Sequence, residues 1–201
     1  MNKWKLTLLI GGGFSIFSIL FSIFEGWNEA TLLFLLRISA RVAVVLFILA
    51  FLASTLIKLE NASFTKWLIR NRKYIGVSFA LVHTIHLGFI LVRHFLYDPG
   101  LLTSEPVSRI AGFIAYLFIL LMVATSFDVI STKMQTKSWK ILHSAGGYYI
   151  WLIFFLSYLK RLEKEDNLFY LLFALLVFAF ILKIIVKVVK RSKIQKWQIK
   201  S

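Results

Sequence analysis

Six apolar stretches, each near the length of one bilayer crossing, constrain this chain more than any other feature. A spanning helix needs ~20 apolar residues, and such runs fall at about 6–24, 31–57, 74–96, 108–130, 139–159 and 167–190. Polar or helix-breaking separators divide them: Glu25-Gly26-Trp27-Asn28-Glu29, Lys58 to Lys73, Asp98-Pro99-Gly100, Ser131 to Lys137 and Lys160 to Asn167. Pro99 and Pro106 share one loop, so no proline kink is expected inside a run. The pattern predicts an all-α integral membrane protein, a six-helix bundle forming one transmembrane domain over residues 1–201. With 59% of residues hydrophobic and only 16% charged, a soluble enzyme, a disordered tail and a secreted disulfide scaffold are excluded as classes. The absence of cysteine removes thiolate metal sites, iron–sulfur clusters and cysteine nucleophiles.

The formal charge of +15 would point to nucleic acid in a soluble protein. Here its placement reads as topology instead. Lys3, Lys5, the 58–73 loop, the 131–140 loop and the tail from Lys183 hold 17 of the 24 basic residues, while Glu25, Glu29, Asp98, Glu105, Glu163, Glu165 and Asp166 mark the intervening loops. The positive-inside rule then predicts both termini on the cytoplasmic side (N-in, C-in). It makes the protein a multi-pass resident of the cell's inner, or plasma, membrane. The partner of the basic excess is anionic membrane lipid, with no nucleic acid. The first run has no small-residue cleavage site before Glu25, so it is expected to be retained as a helix. Residues 191–201 are expected to form a basic cytoplasmic tail.

Ionisable groups inside such runs are costly and mark function by default. The third run holds His83 and His86, three positions apart on one helix face, and the fifth holds His143 followed by Gly146 and Gly147. Neutral imidazoles can be buried and still offer a lone pair, so a b-type haem between the third and fifth helices is one reading. Packing glue through helix carbonyls, or a proton relay, is the other. The glycine pair serves either a slot for a flat macrocycle or close helix packing. In the second run Arg41 lies near mid-membrane, four residues after Arg37, and needs an anion such as a haem propionate. Arg37 and Arg109 can snorkel to headgroups. Asp128 reads as interfacial, and His94, beside Arg93, as solvated.

Several short motifs carry a family resemblance. Arg72-Lys73-Tyr74-Ile75-Gly76 precedes His86 by a fixed interval, Ser39-Ala40-Arg41-Val42-Ala43 sits in the second run, Thr125-Ser126-Phe127 closes the fourth, and Trp139-Lys140-Ile141-Leu142-His143 with Tyr148 opens the fifth. Over roughly residues 31–180 the chain resembles the ferric reductase-like transmembrane domain family, particularly its short MsrQ/YedZ branch. That resemblance implies a haem b electron conduit with His86 and His143 as ligands. It implies a quinol or flavin-reductase donor, so FMN or a quinone enters as a further cofactor. The acceptor it implies is an extracytoplasmic reductase that repairs methionine sulfoxide. Longer relatives carry their own FAD and nicotinamide domains, so the donor here is expected to be a separate molecule. The family's second histidine, about thirteen residues after the first, is replaced here by Phe155-Leu156-Ser157-Tyr158, and His83 is an addition. Both helices run outward, so His83 is expected nearer His143 in depth than His86. A single haem held by His143 and by His83 or His86 follows. The alternative is a haem-free membrane anchor or assembly subunit, and whether the chain is itself an enzyme, rather than an electron-transfer subunit of one, stays open. Solute or proton translocation is weaker, since no run is visibly broken at mid-membrane.

Overall fold

The computed structural model describes residues 4–100, 106–162 and 167–198, with side chains described except at 106–108 and 190–198. Among them every regular element is helical. The principal helices are α1 (Trp4–Glu25), α2 (Glu29–Leu59), α3 (Ser63–Leu96), α4 (Pro106–Ala124), α5 (Thr136–Leu159) and α6 (Asn167–Gln198), with a single turn at Asp128–Ser131 before α5. Among the described residues, five of them contain apolar stretches long enough to cross a membrane. The chain is a multi-pass membrane protein. Helix α4, Pro106–Ala124, has 19 residues, about 28 Å at 1.5 Å per residue, close to a ~30 Å hydrocarbon core.

Local chemistry sets the ends. Gly26, at φ 77°, stops α1 in a conformation that side chains resist. Asn28 then caps α2, its Oδ1 accepting from the Thr31 amide at 2.9 Å. Glu29 in the first turn and Lys58 in the last oppose the helix dipole. Three segments differ from the sequence expectation. Helix α3 starts at Ser63, inside the stretch read as a 58–73 loop, because Thr65 and Leu68 are buried there and extend its apolar face. The expected 108–130 helix stops at Ala124. Thr125 and Ser126 turn their hydroxyls onto the carbonyls of Leu121 and Met122, both at 2.7 Å, and Phe127 is extended. Helix α6 continues to Gln198 through residues expected in the basic tail. Glu105, Glu163, Glu165, Asp166 and the tail beyond Gln198 lie outside the described residues.

Antiparallel α2 and α3 form the central pair, with α6 against α2, α1 against α3, and α4 against α5. The core is a continuous cluster including Leu35, Val44, Phe47, Ile75, Val82, Phe154 and Leu176. Many large apolar side chains elsewhere point outward, Phe24, Phe95 and Leu120 among them. In water such a surface would aggregate. In lipid it is the solvent-facing side.

Trp4 stacks on Phe127 and meets the edge of Tyr74, and Lys73 pairs with Asp128 at 2.9 Å. These contacts gather the start of α1, the basic turns of α3 and the end of α4 at one end of the bundle, called the basic end below. At the opposite end Arg93 lies between Asp98 (3.5 Å) and Glu29 (3.9 Å).

Candidate functional site

A cavity of about 770 Å³ opens at the basic end between α2, α3, α4, α5 and α6, within the size range of cofactor sites. Phe47, Phe79, Ile119 and Ile150 form its apolar part, Gly76 and Ala80 give a low wall on α3, and His143 and Gly147 face it from α5. Arg72 and Lys183 lie at its polar margin.

The glycine pair divides its labour. A Cβ at Gly146 would stand 2.6 Å from Met122 Sδ and 3.0 Å from Phe118 Cδ1, whereas one at Gly147 would meet only Phe51, at 3.6 Å. Gly146 is therefore what lets α5 approach α4 closely, and Gly147 keeps the cavity wall low.

His143 stacks on Trp139, one turn earlier, with ring centroids 4.0 Å apart. Its Nε2 lies 3.0 Å from Thr125 Oγ1. A hydroxyl has one proton, and the Thr125 hydroxyl donates its proton to the Leu121 carbonyl at 2.7 Å. Counting protons then assigns the His143 Nε2–H as the donor and the lone pair to Nδ1. The Trp139 indole donates to the Thr125 carbonyl at 3.0 Å, tying the end of α4 to the start of α5.

The other two imidazoles lie elsewhere. His83 and His86 stack on one another with centroids 5.5 Å apart, and His83 is sandwiched further by Tyr116 at 4.9 Å and Phe79 at 5.5 Å. The Tyr116 hydroxyl donates to the His83 carbonyl at 3.0 Å. Among the described residues the buried His83 Nδ1 has no hydrogen-bond partner. His86 Nδ1 sits 2.9 Å from the Oγ of fully buried Ser39. Ser39 donates to the Leu35 carbonyl at 2.7 Å, so the same proton count makes His86 Nδ1–H the donor and leaves the lone pair on Nε2. The two hydroxyls thus hold His86 and His143 in opposite tautomers.

The structure brings His83 and His86 together and keeps His143 apart from them. His83 is level with Phe154, their ring centroids 5.4 Å apart. Phe154 lies eleven residues beyond His143 on α5, about 16 Å along the helix. Phe47, Phe79 and Phe154 pack together in between. Among the described residues no three His, Cys, Asp or Glu side chains cluster around one metal position. Arg41 is partly buried on α2 and does not line the cavity, and Arg37 is exposed. His94 is partly buried, with Nδ1 3.3 Å from the Asp98 carbonyl. Asp128 is largely exposed in its ion pair with Lys73. Four residues with evident roles were not among the expected site residues. Ser39 and Thr125 fix imidazoles on neighbouring helices, and Arg72 and Lys183 converge from α3 and α6. The available signals were the family motifs, which contain Ser39, Arg72 and Thr125, and Lys183 itself, a cation between Leu182 and Ile184 inside the sixth apolar run.

These features define a membrane protein with partly buried imidazoles between its helices and a cofactor-sized cavity at one end. The ferric reductase like transmembrane component family matches residues 39–156, more than half of the chain. The chain belongs to that family, whose transmembrane domain points to a membrane electron-transfer role. No similar curated protein was found.

Proposed function

We propose that the chain is a haem b electron-transfer subunit of the MsrQ/YedZ kind, moving electrons from the basic, cytoplasmic end to an acceptor outside the plasma membrane. The observation that carries this reading is the cavity beside His143. It is large enough for a cofactor, flanked by Gly76, Ala80 and Gly147, and bordered by an imidazole. That donor set fits a flat macrocycle bound by nitrogen. His143 would hold the haem, and releasing its Nε2 from Thr125 would offer the usual ligating nitrogen. His86, fixed with its lone pair on Nε2, already has the tautomer that metal-bound imidazoles adopt when their other nitrogen is hydrogen-bonded. Haem b, when bound, supplies a one-electron couple whose potential follows ligand identity and burial. The protein's own contribution is to fix imidazole orientation and to keep water out with Phe47, Phe79 and Ile150. The stacked His83–His86 pair lies beyond these rings, on the side toward the acceptor. A separate quinol or flavin reductase would donate at the cavity end.

The test is a reduced-minus-oxidised spectrum of the purified protein with pyridine haemochrome quantification. A haem b alpha band, lost in His143→Ala, supports the reading. No Soret band, or one unchanged in His143→Ala, removes it. One observation favours a second reading as a haem-free anchor or assembly subunit. Leu156, at the position where the family's second histidine is expected, is 43% exposed and faces away from the core. Stoichiometric recovery of a partner complex with no haem would select that alternative.

A further inference from the structure

We infer that the margin of the cavity is an oxyanion site, built by Arg72 and Lys183 for the phosphate or carboxylate of an amphiphile whose apolar body lies over Phe47, Phe51 and Ile150. The two cations arrive from different helices, α3 and α6, and converge on one turn of α2. Arg72 Nε donates to the Ala50 carbonyl at 3.0 Å and Lys183 Nζ to the Phe51 carbonyl at 2.9 Å. Lys183 Nζ also stands 3.9 Å from the centre of the Phe51 ring. Both side chains are only partly exposed and both line the cavity.

Among the described residues neither forms an ion pair. The one acid on the cavity wall, Asp128, is taken by Lys73. Arg72 and Lys58 are close enough to Lys183 for their like charges to be felt. Each cation thus satisfies part of its hydrogen-bonding capacity on a neutral carbonyl and keeps donors in reserve, since an ammonium has three and a guanidinium five. Placing like charges together at the edge of an apolar cavity is unfavourable without a counterion. An oxyanion bridging them would relieve the repulsion and make charge-assisted bonds to both. The apolar depth beneath the cations selects an anion attached to a hydrophobic body over a free inorganic one.

Two sources present this chemistry: a phospholipid phosphate and the propionates of a bound haem. The site does not require haem to be the occupant, so its failure and that of the proposed function are separable. The experiment compares full-length protein with Arg72→Gln/Lys183→Gln in nanodiscs of phosphatidylcholine containing a minor fraction of phosphatidylglycerol. Native mass spectrometry counts retained phosphatidylglycerol in the haem-free protein, and transfer to apomyoglobin times haemin release from the loaded protein. Each lost charge-assisted contact corresponds to about tenfold in affinity. A drop of that size in retained phosphatidylglycerol assigns the site to lipid phosphate, and equally accelerated haemin loss assigns it to propionate. The charge-matched control Lys66→Gln/Arg70→Gln, outside the cavity, should move neither, and Arg72→Lys/Lys183→Arg should retain binding. If both readouts stay at the parent level, or if the control moves them equally, the site is overturned. Lys183→Gln alone carries the same comparison should the double variant not fold.

Discussion

Replacing Ser39 by alanine tests the proton count that assigns the His86 tautomer. Ser39 is completely buried, and its Oγ lies 2.9 Å from His86 Nδ1. Its own proton goes to the Leu35 carbonyl at 2.7 Å, which already serves the helix ladder and loses little when the hydroxyl leaves. The cost falls on the imidazole. The Leu36 backbone also hydrogen-bonds the His86 ring, so the loss of Ser39 costs about 1 kcal/mol, that of one hydrogen bond. For a chain of this size that lowers the melting temperature by about 2–4 °C per kcal/mol. The imidazole can avoid part of the penalty by moving its proton to Nε2, at the expense of the lone pair offered there. The decisive assay is nitrogen-15 NMR of histidine-labelled protein in nanodiscs. The parent His86 should show a protonated Nδ1 and an unprotonated Nε2. Ser39→Ala should lower the melting temperature and shift that signal toward a mixture of tautomers, while Ser39→Thr, which keeps a hydroxyl, should restore the parent pattern. A parent His86 protonated at Nε2, or an Ala variant with unchanged tautomer and melting temperature, would refute the reasoning.

Two further outcomes follow from the same geometry. Thr125→Val removes the acceptor of His143 Nε2–H, costing about 1 kcal/mol of stability while freeing that nitrogen. Haemin titration should then show binding about fivefold tighter, since one kcal/mol is roughly that factor; weaker binding would mean that His143 does not ligate through Nε2. Gly146→Val drives a side chain into Met122 and Phe118 and should cost about 1–3 kcal/mol by overpacking. Gly147→Ala meets Phe51 at an ordinary distance and, gaining up to about 1 kcal/mol of helix propensity, should melt no lower than the parent. Equal losses at both glycines in a thermal unfolding series would show that Gly146 is not the close-packing position.

Much of the architecture was legible because it depends on local periodicity and on the solvent. Runs of apolar residues must become helices in lipid, where every backbone amide needs an internal partner, and Gly26 with Asn28 marks the break between α1 and α2. The three-residue interval between His83 and His86 placed them on adjacent parts of one helix, and they do stack. The end of α4 was less legible. The residues that stop it are polar only by a hydroxyl, and the Trp139 indole that fastens Thr125 belongs to the next helix. The early start of α3 was hidden by its charges: Lys66, Arg70, Arg72 and Lys73 read as a loop, although Leu68 among them is fully buried.

The sequence by itself determined that this chain lives in a membrane as a helical protein, and which few residues stand in oil at an energetic cost. Both follow from the free energy of placing each residue type in hydrocarbon, which needs no partner to be known. Only the tertiary structure decided which way those residues face. It turned His86 toward Ser39, set His143 against Thr125 about 16 Å along α5 from the level of His83, and left Arg41 away from the cavity. It also brought Arg72 and Lys183 to one turn of α2. Hydrogen bonds and charge pairing act over a few ångströms between helices far apart in the chain, so their partners are fixed by packing.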